Sequence, residues 1–269
     1  MVSKVKALVI VGYGLNCEAE TSYALQRAGA EVRQMHLNDL IADKEQLTKS
    51  HLLAFIGGFS FGDHIAGGRV FANRVKRTLR DSLKEFIENH GLIIGICNGF
   101  QTMVKMGLLP GFDNDYETQR ITLAANDSGV FRNAWVRLKA VPESRCVFTK
   151  GIDYLDVPIR HGEGKLFVKD EQYLKRLVAQ GQVVFRYAHP RTGEPTMEFP
   201  HNPNGSLDAV AGICDPSGRI FGLMPHPEAF NSPYNHPHWL RQKLEGTVPE
   251  IGAGLRIFEN GVDYIKGCL

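Results

Sequence analysis

Short, unbroken apolar runs that stop at glycine constrain this chain more than any other feature. Ala7-Leu8-Val9-Ile10-Val11 stops at Gly12, Leu52-Leu53-Ala54-Phe55-Ile56 at Gly57-Gly58, and Leu92-Ile93-Ile94 at Gly95. Apolar runs of this length without polar alternation are the pattern of strands buried on both faces, as in a parallel sheet covered by helices. Helical stretches separate them. One covers about Glu18 to Ala28, with Gly29 as its cap. A strand from Glu31 to Met35 follows. Phe71, Val75, Leu79, Leu83, Phe86 and Ile87 recur at three-to-four spacing and mark one face of a second helix. Strand and helix in alternation predict an α/β fold: a three-layer αβα sandwich around a mostly parallel sheet.

After Gly107-Leu108-Leu109-Pro110-Gly111 the pattern changes. Thr118–Ala124, Ala134–Leu138, Val183–Ala188 and Val210–Ile213 are shorter candidate strands between Gly, Pro and Asn clusters, which suggests a small antiparallel flank. Ile220-Phe221-Gly222-Leu223-Met224 is one more apolar strand, and Leu255, Phe258, Val262 and Ile265 mark a last helix. No repeat or clean linker interrupts the chain, so residues 1–269 are expected to form a single domain. The Pro- and His-rich stretch Ser232–Pro249 is expected to be an irregular surface excursion.

The 269 residues are enough for a real core. A net charge of +2 implies no polyanion, and Arg74, Lys76, Arg77 and Arg80 are expected on a solvated helix face. The five cysteines are widely spaced without a CxxC, which argues against a disulfide framework or structural zinc. His236 and His238 lack metal-site spacing, so no metal is expected. The N-terminus lacks a leader pattern, and no apolar run is long enough to span a membrane. These features point to a cytoplasmic protein.

The third run opens into Gly95-Ile96-Cys97-Asn98-Gly99, a cysteine between glycines where a strand turns sharply into a helix. That is the thiol form of a nucleophile elbow, with the sulfur exposed at the strand end and the next N–H beside it. Such a thiol needs a base, and the base an orienting group. Met224-Pro225-His226-Pro227-Glu228 supplies both. In an extended segment His226 and Glu228 project to the same side, and the prolines stiffen it. Gly57-Gly58-Phe59-Ser60-Phe61-Gly62-Asp63 ends a neighbouring strand. A glycine N–H there, with that of Asn98, would form a two-donor oxyanion hole, each donor worth about 3 kcal/mol. Gly12-Tyr13-Gly14 lacks the third glycine of a dinucleotide fingerprint, since Cys17 takes its place.

These residues in this order resemble the class I, or triad, glutamine amidotransferases. More narrowly, the chain is similar to the glutaminase subunits of phosphoribosylformylglycinamidine synthases of purine biosynthesis. The similarity is carried by Gly14-Leu15-Asn16-Cys17-Glu18, the Gly57–Asp63 loop, Gly95 to Gln101, Leu108–Gly111, Arg160-His161-Gly162-Glu163-Gly164-Lys165 and Met224–Glu228. It spans nearly the whole chain. It departs from the commonest bacterial form by extra sequence near Ala66–Arg69 and at Ser232–Pro249.

The resemblance implies Cys97 as nucleophile, His226 and Glu228 as its partners, and Gly58 and Asn98 as oxyanion donors. It further implies that Gln101 contacts glutamine and that His161, Gly162 and Glu163 line its amino-acid end. Ammonia would pass to a large synthetase subunit, with a small third subunit in the same complex. The chain carries no P-loop and no carboxylate cluster for Mg. No cofactor is therefore expected on it, and ATP and Mg would sit on the synthetase. Cys17 belongs to the family pattern and is expected to be structural, because nothing near it in sequence would activate it. Two alternatives stand beside this one. A peptidase or deglycase of the same fold commonly has histidine next to the cysteine, where Asn98 stands here. A non-catalytic amidotransferase-like scaffold would not need an intact triad.

Overall fold

A computed structural model describes residues 4–269. The leader-free N-terminus expected from the sequence falls partly on Met1, Val2 and Ser3, which lie outside the described residues.

The strands are β1 (Lys6–Val11), β2 (Glu31–His36), β3 (Leu52–Phe55), β4 (Leu92–Ile96), β5 (Ile121–Ala125), β6 (Arg132–Ala140), β7 (Tyr154–His161), β8 (Glu163–Val168), β9 (Val183–Ala188), β10 (Val210–Cys214) and β11 (Ile220–Leu223). The helices are α1 (Glu18–Arg27), α2 (Leu37–Ala42), α3 (Glu45–Thr48), α4 (Arg69–Glu88), α5 (Asn98–Met106), α6 (Glu171–Ala179), α7 (Trp239–Leu244) and α8 (Leu255–Lys266). Nine strands form one sheet in the order β2-β1-β3-β4-β11-β10-β9-β6-β7.

β2, β1, β3, β4 and β11 pair in parallel, and the pairs from β11 to β7 are antiparallel. β5 and β8 form a separate two-stranded antiparallel sheet. The antiparallel flank therefore takes two forms: one half extends the main sheet, and a small sheet stands apart from it.

The apolar runs behave as their composition dictates. β3, β4, β10 and β11 are buried along their whole length. From β1 the chain turns outward to β2, and from β3 it turns the other way to β4. Right-handed crossovers then put α1 and α4 on opposite faces. α1 packs with α8, and α4 with α5. All six periodic residues of α4 are buried. Each such side chain contributes roughly 1.5–3 kcal/mol on burial. Of the basic residues on its outer face, Arg77 and Arg80 are exposed as expected, while Arg74, Lys76 and Arg80 also have local partners. Arg74 lies over the Tyr13 ring and donates to Asn38, Lys76 reaches the Glu117 carbonyl, and Arg80 pairs with the Glu117 carboxylate. The surface excursion carries α7.

The parallel strands place their carboxyl ends side by side. The elbow, the Gly57–Gly58 turn, the His226 segment and the loop after β1 meet at that edge, where open α/β sheets form their clefts.

Candidate active site

Cys97 has φ of +50° and ψ of −107°, so the elbow is strained as a nucleophile turn requires. Its N–H donates to the Leu223 carbonyl of the adjacent strand at 2.8 Å. The flanking glycines are set by packing. A Cβ at Gly95 would collide with the Met103 sulfur, and one at Gly99 with the Phe55 carbonyl. Helix α5 can therefore lie directly on β3 and β4 only with glycine at both positions. The Cys97 sulfur faces the Arg160 carbonyl of β7 at 3.6 Å. Cys97 is 5% exposed, so access is narrow in this chain alone.

His226 and Glu228 are both buried, and Nδ1 of His226 meets Oε1 of Glu228 at 2.6 Å. The local reason differs from an extended segment. Residues Pro227–Ala229 form a 3₁₀ turn, with the Ala229 N–H donating to the His226 carbonyl at 3.2 Å. The His226 N–H donates to Pro158 of β7 at 2.8 Å, which ties the segment to the flank of the sheet. The other ring nitrogen, Nε2, is buried without a partner and so is open to a reacting proton. Burial disfavours the imidazolium, but the Glu228 carboxylate, with Cys97 and Cys17 adding, reverses this. His226 is held well above its ordinary value.

Gly58 adopts φ of +139°, and a Cβ there would strike the backbone of Leu15 and Asn16. The Gly14–Asn16 loop is bonded to this turn: Asn16 N–H donates to Gly57 at 3.2 Å and Phe59 N–H to Gly14 at 2.9 Å. Asn98 begins α5, so its N–H has no helical acceptor. Neither the Gly58 nor the Asn98 N–H has an acceptor among the described residues. Both donors are thus free, one on the residue after Cys97 and the other on the neighbouring strand end.

The side chains of Asn98 and Gln101 are committed elsewhere. The Asn98 amide donates to Asp63 at 2.9 Å and to Gln101 Oε1 at 3.0 Å, and Gln101 Nε2 donates to the Glu163 carbonyl at 2.6 Å. Glu163 in turn accepts from the Gly67 N–H at 3.0 Å. This chain of bonds joins the elbow helix, the 58–68 loop and the His161–Gly164 segment. The 66–69 segment is thereby tied to the elbow helix through Glu163. Gln101 is 4% exposed.

His161 is buried. Its Nδ1 lies 3.1 Å from Asn126 Oδ1, while Asn126 Nδ2 donates to the His161 carbonyl at 2.9 Å. Gly162 accepts from the Asn126 N–H at 2.9 Å. Desolvation first, then the charge on His226, push His161 down to about 3, so it is neutral.

Sequence reasoning missed Asn126, Asp63 and Tyr187. Tyr187, on β9, is buried, accepts from Asn204 Nδ2 at 3.1 Å, and is raised by burial, with a smaller contribution from Cys97. Each lies in a stretch with no motif of its own except Asp63, which ends the glycine-rich loop. Cys17 corrects the sequence-based reading. A Cβ on Gly57 would touch both the Cys17 sulfur at 3.0 Å and the His226 ring at 2.9 Å. The thiol read as structural for want of an activating neighbour thus shares the His226 environment. Burial raises it, and His226 partly offsets that.

A thiol on a strained elbow, a carboxylate-held imidazole and paired N–H donors can perform acyl transfer through a covalent intermediate. The profile of the CobB/CobQ-like glutamine amidotransferase domain matches residues 4–265.

The chain belongs to this glutamine amidotransferase family. Among curated relatives, the phosphoribosylformylglycinamidine synthase subunit PurQ of Dehalococcoides mccartyi is 46% identical over 264 residues, covering 98% of this chain and 99% of that one. The PurQ subunit of Methanococcus maripaludis strain C7 is 44% identical over 267 residues, covering 97% of each. Among solved structures, PurLQS from Thermotoga maritima contains a chain of 29% identity and TM-score 0.68, covering 98% of this amidotransferase and 100% of that chain, and the two share the fold.

Proposed function

We propose that this chain is the glutaminase subunit of a phosphoribosylformylglycinamidine synthase, and that all 269 residues act as a single amidotransferase domain. The observation that carries the chemistry is the pairing of Glu228 with Nδ1 of His226, which leaves Nε2 free beside the elbow thiol. Membership of a synthase complex is supported by the near-full-length similarity to PurQ proteins.

Cys97 sulfur attacks the side-chain carboxamide carbon of glutamine, and its proton goes to His226 Nε2. The tetrahedral oxyanion is received by the Gly58 and Asn98 N–H groups. His226 returns the proton to the departing nitrogen, ammonia leaves, and a γ-glutamyl thioester remains on Cys97. Water, deprotonated by His226, attacks the thioester and releases glutamate and the thiol. Glu228 keeps Nδ1 protonated and stabilises the imidazolium. The Gln101–Glu163 link and the His161–Gly162 backbone form the wall that receives the amino-acid end of glutamine.

Ammonia passes to a large synthetase subunit, helped by a small third subunit, which aminates formylglycinamide ribonucleotide to formylglycinamidine ribonucleotide. ATP and Mg belong to that partner, and this chain needs no cofactor. The partner's seat is supported by exposed aromatics at the rim: Phe59 follows Gly58, and its ring centroid lies 6.0 Å from that of Phe131, which adjoins Gly162. The complex works in the cytoplasm, and no helix among the described residues is long and apolar enough to cross a membrane.

The test is Cys97→Ala, purified with its synthetase. Glutamine-dependent synthesis should vanish while synthesis from ammonium salts continues. Persistent use of glutamine would remove Cys97 from the mechanism.

A further inference from the structure

Cys17 has no part in the reaction above, yet its sulfur lies among the groups that carry it. The Cys17 sulfur, a ring nitrogen of His226 and a carboxylate oxygen of Glu228 fall within 4.8 Å of one another, and all three residues are buried. They arrive from different elements. Cys17 precedes α1 on the loop bonded to the Gly57–Gly58 turn, and the other two follow β11. Glycine at 57 leaves room for the thiol and the imidazole together, because a Cβ there would touch both.

Two further observations separate this cluster from an ordinary buried cysteine. Oε2 of Glu228 is buried without a hydrogen-bond partner and the reaction above does not use it, whereas the free Nε2 of His226 is accounted for by proton transfer with Cys97. His226 is 2% exposed and Glu228 1%. Buried polar atoms left unpaired are uncommon and ask for a ligand. A thiolate, an imidazole and a carboxylate form a donor set suited to zinc-like ions, with three protein ligands leaving one coordination position open.

We infer that Cys17, His226 and Glu228 form an inhibitory site for a soft divalent cation of the zinc class. The cation occupies the imidazole and carboxylate that the reaction uses as base and orienting group, so binding and turnover exclude one another. It acts as an inhibitor and not as a resident cofactor. Cys17 is what makes this a three-donor site: without it, His226 and Glu228 offer two donors already joined to each other. The inhibitory consequence rests on the proposed role of His226, whereas the binding does not.

The test uses the full chain carrying Cys97→Ala and Cys268→Ser, which removes the nucleophile and the exposed thiol. Titration with Cd²⁺ is followed by thiolate-to-metal absorption in the ultraviolet. One equivalent should bind with a single-thiolate band. Adding Cys17→Ser should abolish the band and weaken binding by more than about tenfold, since even outer-shell partners of a metal site are worth that much. Glu228→Gln on the same background is a second probe and should weaken binding while keeping the band. An absent band, or one that survives Cys17→Ser, overturns the site.

In the complex with native Cys97, Zn²⁺ should inhibit glutamine hydrolysis reversibly, with EDTA restoring it. Cys17→Ser should raise the inhibitory concentration by more than about tenfold, and an unchanged value overturns the inference. A chain that binds Cd²⁺ through Cys17 but never hydrolyses glutamine would sink the glutaminase reading and leave the cation site standing.

Discussion

His161 feels the charge on His226, and the two are shifted in opposite directions. Glu228 outweighs burial and raises the affinity of His226 for the proton it takes from Cys97, while His161 is driven down to about 3 by burial and by the charge on His226. The signs give two limbs of a stability profile. Folded His161 resists the proton that the unfolded chain takes up below about 6.5, so its contribution is whole above that value and declines as pH falls from 6.5 toward 3. At about 1.4 kcal/mol per unit the loss approaches roughly 5 kcal/mol. His226 works the other way: its contribution is full below about 6.5 and is lost as pH rises through its raised folded value. Denaturant midpoints measured across pH should therefore lose part of their acid slope in His161→Gln and part of their alkaline slope in His226→Gln. Equal slopes in parent and variants would contradict the assignment. Glu228→Gln should lower glutaminase kcat by on the order of 10²–10⁴-fold, the usual worth of a positioned acid–base group, with a smaller effect on KM. Steady-state kinetics of the complex check this.

Elements show why some of the molecule could be read from sequence and some could not. β1, β3, β4 and β11 are unbroken apolar runs because both faces are covered, and helix α4 has a clean periodic face. β7 and β8 escaped because polar residues interrupt their apolar ones: β7 interleaves Asp156 and Arg160 with buried Leu155, Val157 and Ile159, and includes Pro158; α6 escaped because it buries only Leu177. β5 was visible as a strand, but its partner β8 lies in a different sheet from the other antiparallel strands, and pairing of that kind leaves no local mark. The candidate residues Cys97, His226 and Glu228 were legible because their spacing around glycine and proline is local. Their true geometry, with a 3₁₀ turn at Pro227–Ala229, was not. Nor was the approach of Cys17 to His226, which depends on two loops at a shared sheet edge. The elbow makes an element-scale prediction. Gly99→Ala puts a methyl group into the Phe55 carbonyl, so it should cost about 1–3 kcal/mol as overpacking and displace α5 from β3. Urea unfolding would register the loss, and unchanged stability would mean the helix can shift without strain.

For the whole molecule, the proposed function gives the sheet edge two duties: to assemble the site and to present the apolar rim to a partner. Phe131→Asp should weaken association with the synthetase by about 2 kcal/mol or more if this ring anchors the interface. Calorimetric titration of the two chains measures it, and full affinity would place the partner elsewhere. The account as a whole rests on a covalent intermediate at Cys97. The most direct measurement is mass spectrometry of the complex, acid-quenched during glutamine turnover and digested. A γ-glutamyl adduct should appear on the peptide containing Cys97 and disappear in Cys97→Ala. An adduct on Cys17, or steady turnover with no adduct on Cys97, would contradict the account.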